Sequence, residues 1–169
     1  MATVVLPLYP GPVIFPSSNY PQSLWVAGTN FSREFLSFDG TTAETCYFQF
    51  RSARYASGNL TVRIRWSVPA GTTSGDVIFG AAVAAITPDT DSTDIETKAF
   101  GTSATVTDSH LGTTAKRVMT TAITVSSLDS IAADDHCFLK FYRDAAAGGD
   151  TINGVDVRVE AVDLEYADA

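Results

Sequence analysis

Two histidines, two cysteines and three acid-rich stretches are the residues of this 169-residue chain that could do chemistry. His110 stands in TDSHLG, and His136 follows Asp134 and Asp135 in ADDHC. A hydrolytic triad needs a nucleophile, a base and an orienting acid that converge, and no G-x-S-x-G elbow or comparable nucleophile turn occurs. His136 beside two acids could bind a metal, but at a strand entrance such a histidine reads first as a solvated turn residue. TPDTDSTDIE puts Asp89, Asp91, Asp94 and Glu96 in one loop. It lacks the central Gly and the twelfth-position Glu of an EF-hand, so structural acidity is the expectation. TSGDVIFG has neither G-x-G-x-x-G nor a G-K-[ST] ending, so no phosphate loop is expected. Paired carboxylates for glycoside hydrolysis would need a cleft, which the sequence does not display. The reading is of a protein that is not an enzyme and holds no cofactor and no metal.

The third acidic stretch is FYRDAAAGGDTING, residues 141–154, between two alternating apolar runs. Arg143 and Asp144 could form a charge-assisted bond that fixes a corner, with Gly148 and Gly149 supplying positive φ. Asp150 and Thr151 could then bond local backbone to start the return strand. A structural corner of Arg143, Asp144 and Asp150 is the reading; a calcium site or a contact loop is the alternative.

These residues must be positioned by strands. Charged residues make up 18% of the chain, β-branched and aromatic residues are plentiful, and no convincing amphipathic helix is present. Period-2 alternation or apolar runs mark strands at 34–38, 43–50, 59–66, 76–86, 103–107, 115–127, 137–143 and 155–166. In NLTVRIRW, Leu60, Val62, Ile64 and Trp66 share one face. The last run changes phase near Ala161, which predicts a bulge. DVIFGAAVAAI is apolar with small residues on both faces, which predicts close approach of a second layer or subunit. Eight strands without a repeat period indicate an eight-stranded jelly-roll β-sandwich over residues 31–169. In a jelly roll the strands at 43–50 and 137–143 are neighbours. Cys46 and Cys137 would then line one core face without necessarily facing each other, as small core residues and not a disulfide.

Residues 1–30 differ: Pro7, Pro10, Pro12, Pro16 and Pro21 are interleaved with large apolar side chains. Prolines at this density forbid helix and interior strand, so an extended arm is expected. Its apolar side chains need cover, from its own domain or from a partner. No run reaches the ~20 apolar residues of a membrane-spanning helix. The start of the chain lacks a basic region and a convincing cleavage site, so no secretory signal is expected and folding is expected in a cytoplasm. A net charge of −8, with 11 Lys and Arg spread singly, gives no basic stripe for phosphates. Neither nucleic acid nor an anionic membrane is an expected partner.

LSFDGTTAETCYFQF (36–50), LTVRIRWSVPAGTTSGDVIFG (60–80) and FYRDAAAGGDTINGVDVRVEAVDLEY (141–166), in that order and spacing, resemble a group of tailed-bacteriophage virion proteins. Where the group carries Trp after G-D-V, this chain has Phe79. The resemblance covers roughly residues 34–166 and implies a jelly-roll capsid decoration or cement protein on the virion exterior, made in the host bacterial cytoplasm. It implies a homotrimer bound to the major capsid protein. On that reading Leu6, Tyr9, Val13, Phe15, Tyr20 and Trp25 of the arm lie across the capsid surface and clamp neighbouring subunits. A carbohydrate- or receptor-binding module of a tail fibre or spike is the alternative, by analogy of fold.

Overall fold

The computed structural model describes residues 2–69, 74–112, 116–152 and 154–169. Among these, ten strands and no helix are seen: β1 (Thr3–Tyr9), β2 (Gln22–Ala27), β3 (Ser32–Phe38), β4 (Glu44–Arg51), β5 (Leu60–Ser67), β6 (Ser74–Ile86), β7 (Ala104–Leu111), β8 (Met119–Val125), β9 (His136–Arg143) and β10 (Val157–Ala167). They form two antiparallel sheets packed as a sandwich. One runs β2-β3-β10-β5-β8, with β1 also on β10, and the other runs β4-β9-β6-β7. The middle of the expected loop 69–75 and the first residue of the expected strand 115–127 lie outside the described residues.

All eight expected strands are present, and the count of eight is corrected to ten by the first thirty residues. The Pro-rich segment is not an arm held away from the body in this structure. β1 pairs with Val162–Ala167 of β10, and β2 pairs with β3 along its whole length. The prolines decided which kind of strand was possible, because a residue without an N–H is tolerated on an edge or at a strand start. Pro7 lies in β1, whose only ladder partner is β10, and the register shifts between Pro7 and Tyr9. Pro21 immediately precedes β2, which is itself an edge.

β10 organises the larger sheet. Val157–Val159 pair with β3 and Val162–Ala167 with β1 on the same side, while β5 takes the other. The register against β5 shifts between Val159 and Ala161, at the bulge expected near Ala161.

The alternating residues of both sheets meet in one core. Leu60, Val62, Ile64 and Trp66 are all fully buried. Trp66 meets Phe79 edge-on at 5.8 Å, Phe79 stacks on Phe141 at 5.8 Å, and Phe38 meets Phe141 edge-on at 5.5 Å. This aromatic column ties the sheets together, each ring contributing about 1.5–3 kcal/mol by burial. Trp66 keeps its polar end satisfied by donating Nε1–H to Thr121 Oγ1 at 2.7 Å. β4 and β9 are neighbours, with Cys46 opposite Phe141 and Cys137 opposite Phe50. Both cysteines are free and buried, on one core face and not opposite each other. Burial pushes the Cys46 thiol far above its ordinary value and the Cys137 thiol up to about 12.

Candidate functional site: the outer face of the four-stranded sheet

The acids and histidines singled out for chemistry are occupied by structure. Arg143 and Asp150 are fully buried partners: Arg143 Nε and Nη2 donate to the two Asp150 oxygens at 3.0 and 2.9 Å. The same guanidinium donates to the carbonyls of Ile152, Asp39 and Val155 at 3.1, 3.0 and 2.9 Å. One side chain thus clamps the turn after β3 and the connection between β9 and β10. The expected corner exists, with a different partner. Asp144 makes no salt bridge to Arg143; its backbone N–H continues the ladder to Ile78 O at 2.9 Å. Asp150 and Thr151 bond across to β6, accepting from Ile78 N–H and Asp76 N–H, and Asp150 N–H also donates to Ala147 O at 2.9 Å, the local backbone bond expected of the turn. Positive φ is supplied by Gly154, at 71°, and not by Gly148 or Gly149.

In the loop after β6, Asp91 accepts from Thr87 N–H and Asp94 from Glu96 N–H, each at 2.9 Å. These carboxylates cap their own loop. Among the described residues no group of three or more His, Cys, Asp or Glu is arranged to hold a metal. His110 is buried against Trp66 at 5.9 Å, and His136 meets the Phe138 ring edge-on at 5.0 Å.

The arm residues divide. Leu6 and Val13 pack against the core and Tyr9 is buried at 2% exposure, its hydroxyl held far above its ordinary pKa chiefly by burial. Phe15 and Tyr20 lie 5.4 Å apart and exposed, and Trp25 is 72% exposed on β2. The chain therefore covers half of these side chains itself.

What remains unspent is a sheet face. Along β4 the residues out of phase with the core are Thr45, Tyr47 and Gln49, and along β9 they are His136, Phe138, Lys140 and Tyr142. On β6 they are Ile78, Gly80, Ala82 and Ala84. Register sets them in rows: Thr45, Tyr142 and Gly80, then Tyr47, Lys140 and Ala82, then Gln49, Phe138 and Ala84. Where the small residues of β6 predicted close approach of a second layer or subunit, the space at Gly80 on this face is taken by a ring from the neighbouring strand β9. A Cβ on Gly80 would fall 2.1 Å from Tyr142 Cζ, so the far end of that ring is folded down across the sheet into the space glycine leaves. Lys140 Nζ stands 5.2 Å from the centre of the same ring. Beyond Lys140, Phe100 from the loop after β6 stacks on Tyr47 at 5.8 Å and 20°. Gly101 N–H bonds Val83 O at 2.9 Å and Lys98 pairs with Asp129 at 3.0 Å, which fixes that loop. Ile14, Tyr47, Ala84, Ile95, Phe100 and Phe138 enclose a depression of about 200 Å³. That is smaller than the ~300–1,000 Å³ of an enclosed small-molecule cleft.

Such a surface can stack the apolar face of a flat or ring-shaped ligand on aromatic carbon and bond its hydroxyls from Gln49, Tyr142, Thr45 and Lys140. Tyr142, Lys140, Phe138 and Phe100 were not among the site residues expected from sequence. The signal was three aromatics, Tyr47, Phe138 and Tyr142, standing out of phase with the core residues of their strands.

Fold and site together describe an all-β sandwich with an open aromatic sheet face. No protein-family model matches the chain, and no curated protein matches it significantly. Solved structures of similar fold do exist. A family 11 carbohydrate-binding module from Clostridium thermocellum, in complex with a β-1,3-1,4-mixed-linked tetrasaccharide, is similar at a TM-score of 0.50 and 12% identity, covering 96% of this chain and 94% of that one. A non-crystalline-cellulose-specific module, CBM28, is similar at 0.51 and 10% identity over 92% and 88%. CBM35 from Cellvibrio japonicus Abf62 is similar at 0.50 and 10% identity over 98% and 99%. At these identities the likeness establishes the jelly-roll type of sandwich.

Proposed function

We propose that this protein is a non-catalytic carbohydrate-binding module whose glycan lies on the outer face of the four-stranded sheet. The observation that carries the reading is Tyr142 folded across Gly80 beside Lys140, on a face otherwise built from Tyr47, Phe138 and Phe100. Carbohydrate-binding modules of the same fold support it. Pyranose rings present C–H groups on one face and hydroxyls at the rim, so an aromatic floor with polar edges suits them. An oligosaccharide array followed by calorimetry tests the reading. Binding that Tyr142→Ala lowers about tenfold or more supports it, equivalent to roughly 1.4 kcal/mol. Absence of binding to any neutral or acidic oligosaccharide would refute it.

A second reading is favoured by a different observation. Phe15, Tyr20 and Trp25 remain exposed at 37%, 43% and 72%, and Phe31 on the β2–β3 connection is exposed at 73%. Exposed aromatics on an edge hairpin suit a protein partner. This supports the role implied by the resemblance, a trimeric decoration protein on a major capsid protein. Co-sedimentation with undecorated tailed-phage shells, lost on Trp25→Ser, is the outcome that reading requires.

A further inference from the structure

The face that carries Tyr142 also carries a charge that the rest of the molecule does not neutralise. The chain has 19 acidic residues against 11 Lys and Arg, and seven of those cations are in salt bridges: Arg33, Arg51, Arg54, Arg63, Arg65, Lys98 and Arg143. Lys140 makes no salt bridge among the described residues, although the protein is rich in carboxylates. Its neighbours across the ladders are Tyr47 on β4 and Ala82 on β6, and its neighbours along β9 on that face are Phe138 and Tyr142. The ammonium therefore stands beside aromatic carbon, half-buried, with the Tyr142 ring 5.2 Å away. A ring quadrupole offsets only part of what an ammonium loses on leaving water, and an anion would compensate it more fully.

Position matters as much as charge. Lys140 lies in the row between Tyr142 and Phe138, so a saccharide stacked on Tyr142 has a ring substituent within reach of the ammonium. We infer that Lys140 selects an acidic saccharide, one whose pyranose ring bears a carboxylate or sulfate group. This rests on the carbohydrate reading above and goes further by fixing the ligand class. A lysine is a rotatable point charge, unlike the planar fork of arginine, so it accepts either anion. The net charge of −8 repels a polyanion at long range, but that field is screened beyond ~8 Å at physiological ionic strength. Short acidic oligosaccharides, and not long polymers, are the ligands that the local charge serves best.

The test compares matched oligosaccharides by calorimetry: cellotriose as the neutral probe, an oligogalacturonide trimer as the carboxylated one and a chondroitin sulfate tetrasaccharide as the sulfated one. Wild type is expected to bind at least one acidic probe about fivefold tighter than the neutral one, equivalent to roughly 1 kcal/mol. The arm that gains identifies the anion. Lys140→Met should remove the preference by weakening the acidic probe about fivefold more than the neutral one; Lys140→Arg should keep it. Thermal unfolding of each variant checks that the sheet is intact. Equal affinity for neutral and acidic probes, or a preference that survives in Lys140→Met, overturns the inference and leaves the carbohydrate reading standing. Failure of wild type to bind any of the three, after the array has also failed, overturns both.

Discussion

The outer faces of the two sheets are built by the same alternation and end in opposite chemical states. On the six-stranded sheet, Arg63 donates to both Glu165 oxygens at 2.7 and 2.8 Å, Arg65 to Asp163 at 2.7 Å, and Arg33 pairs with Glu160. These are diagonal pairs, since register places Arg63 opposite Asp163 and Thr61 opposite Glu165. On this face Phe35 lies between the guanidiniums of Arg33 and Arg158, at 5.2 and 4.6 Å, while Phe31, beside Arg33 and Arg65, is exposed at 73%. On the four-stranded sheet the Lys140 ammonium stands over the Tyr142 ring and makes no salt bridge among the described residues. Where Arg33, Arg63 and Arg65 are paired internally little of their charge is left for a ligand, whereas the other face retains both stacking surface and the Lys140 charge. A ligand site is thus marked by what the fold leaves uncompensated.

The comparison can be broken at its foundation first. Arg143→Ala should have the largest effect, about 3–5 kcal/mol, because it strands the Asp150 charge in the interior. Urea unfolding measures this, and a loss below about 1 kcal/mol would show that the corner does not hold the sandwich. Gly80→Val comes next, at roughly 1–3 kcal/mol, since the new side chain collides with the Tyr142 ring. Glycan affinity should fall with it as the ring is displaced. Tyr142→Ala sharpens the contrast by separating function from folding: binding drops about tenfold while stability changes by roughly 1 kcal/mol or less, as for a half-exposed side chain.

The smallest effects belong to the paired face. Glu165→Gln should cost no more than about 1 kcal/mol, as for exposed ion pairs, and leave glycan binding unchanged. Its pH dependence has a definite sign. The hydrogen bond from Arg63, followed by its charge, lowers the folded Glu165 pKa below its ordinary 4.5. The pair's contribution is therefore complete above about pH 4.5 and is lost as pH falls through the lowered folded value. Wild type and Glu165→Gln should converge in stability at acid pH. A constant difference from pH 7 to pH 3 would show that the ladder is not electrostatic.

Much of the body was legible because it is written in nearest-neighbour pattern. Alternation in NLTVRIRW and CFLKFYR settles which residues face inward, and a phase change announces the bulge by Ala161, since side chains alternate strictly along a strand. The Pro-rich segment was legible only negatively. Proline excludes interior strands, but whether an edge is available depends on β10 having a free side, which is a property of the assembled sheet. The Arg143 partner was open for a related reason. Asp144 and Asp150 are both near in sequence, and only the folded connection brings Asp150, and not Asp144, to the guanidinium.

The amino-acid order by itself determined an all-strand chain, its core faces, its buried cysteines and its excess of acids over cations, all consequences of local period and composition. Only the tertiary structure decided that Tyr142 rests on Gly80, that Lys140 stands beside it, and that seven of the other ten Lys and Arg are in salt bridges. Those contacts join residues on different strands, and register between strands is fixed by the packing of the whole sandwich and not by either segment alone.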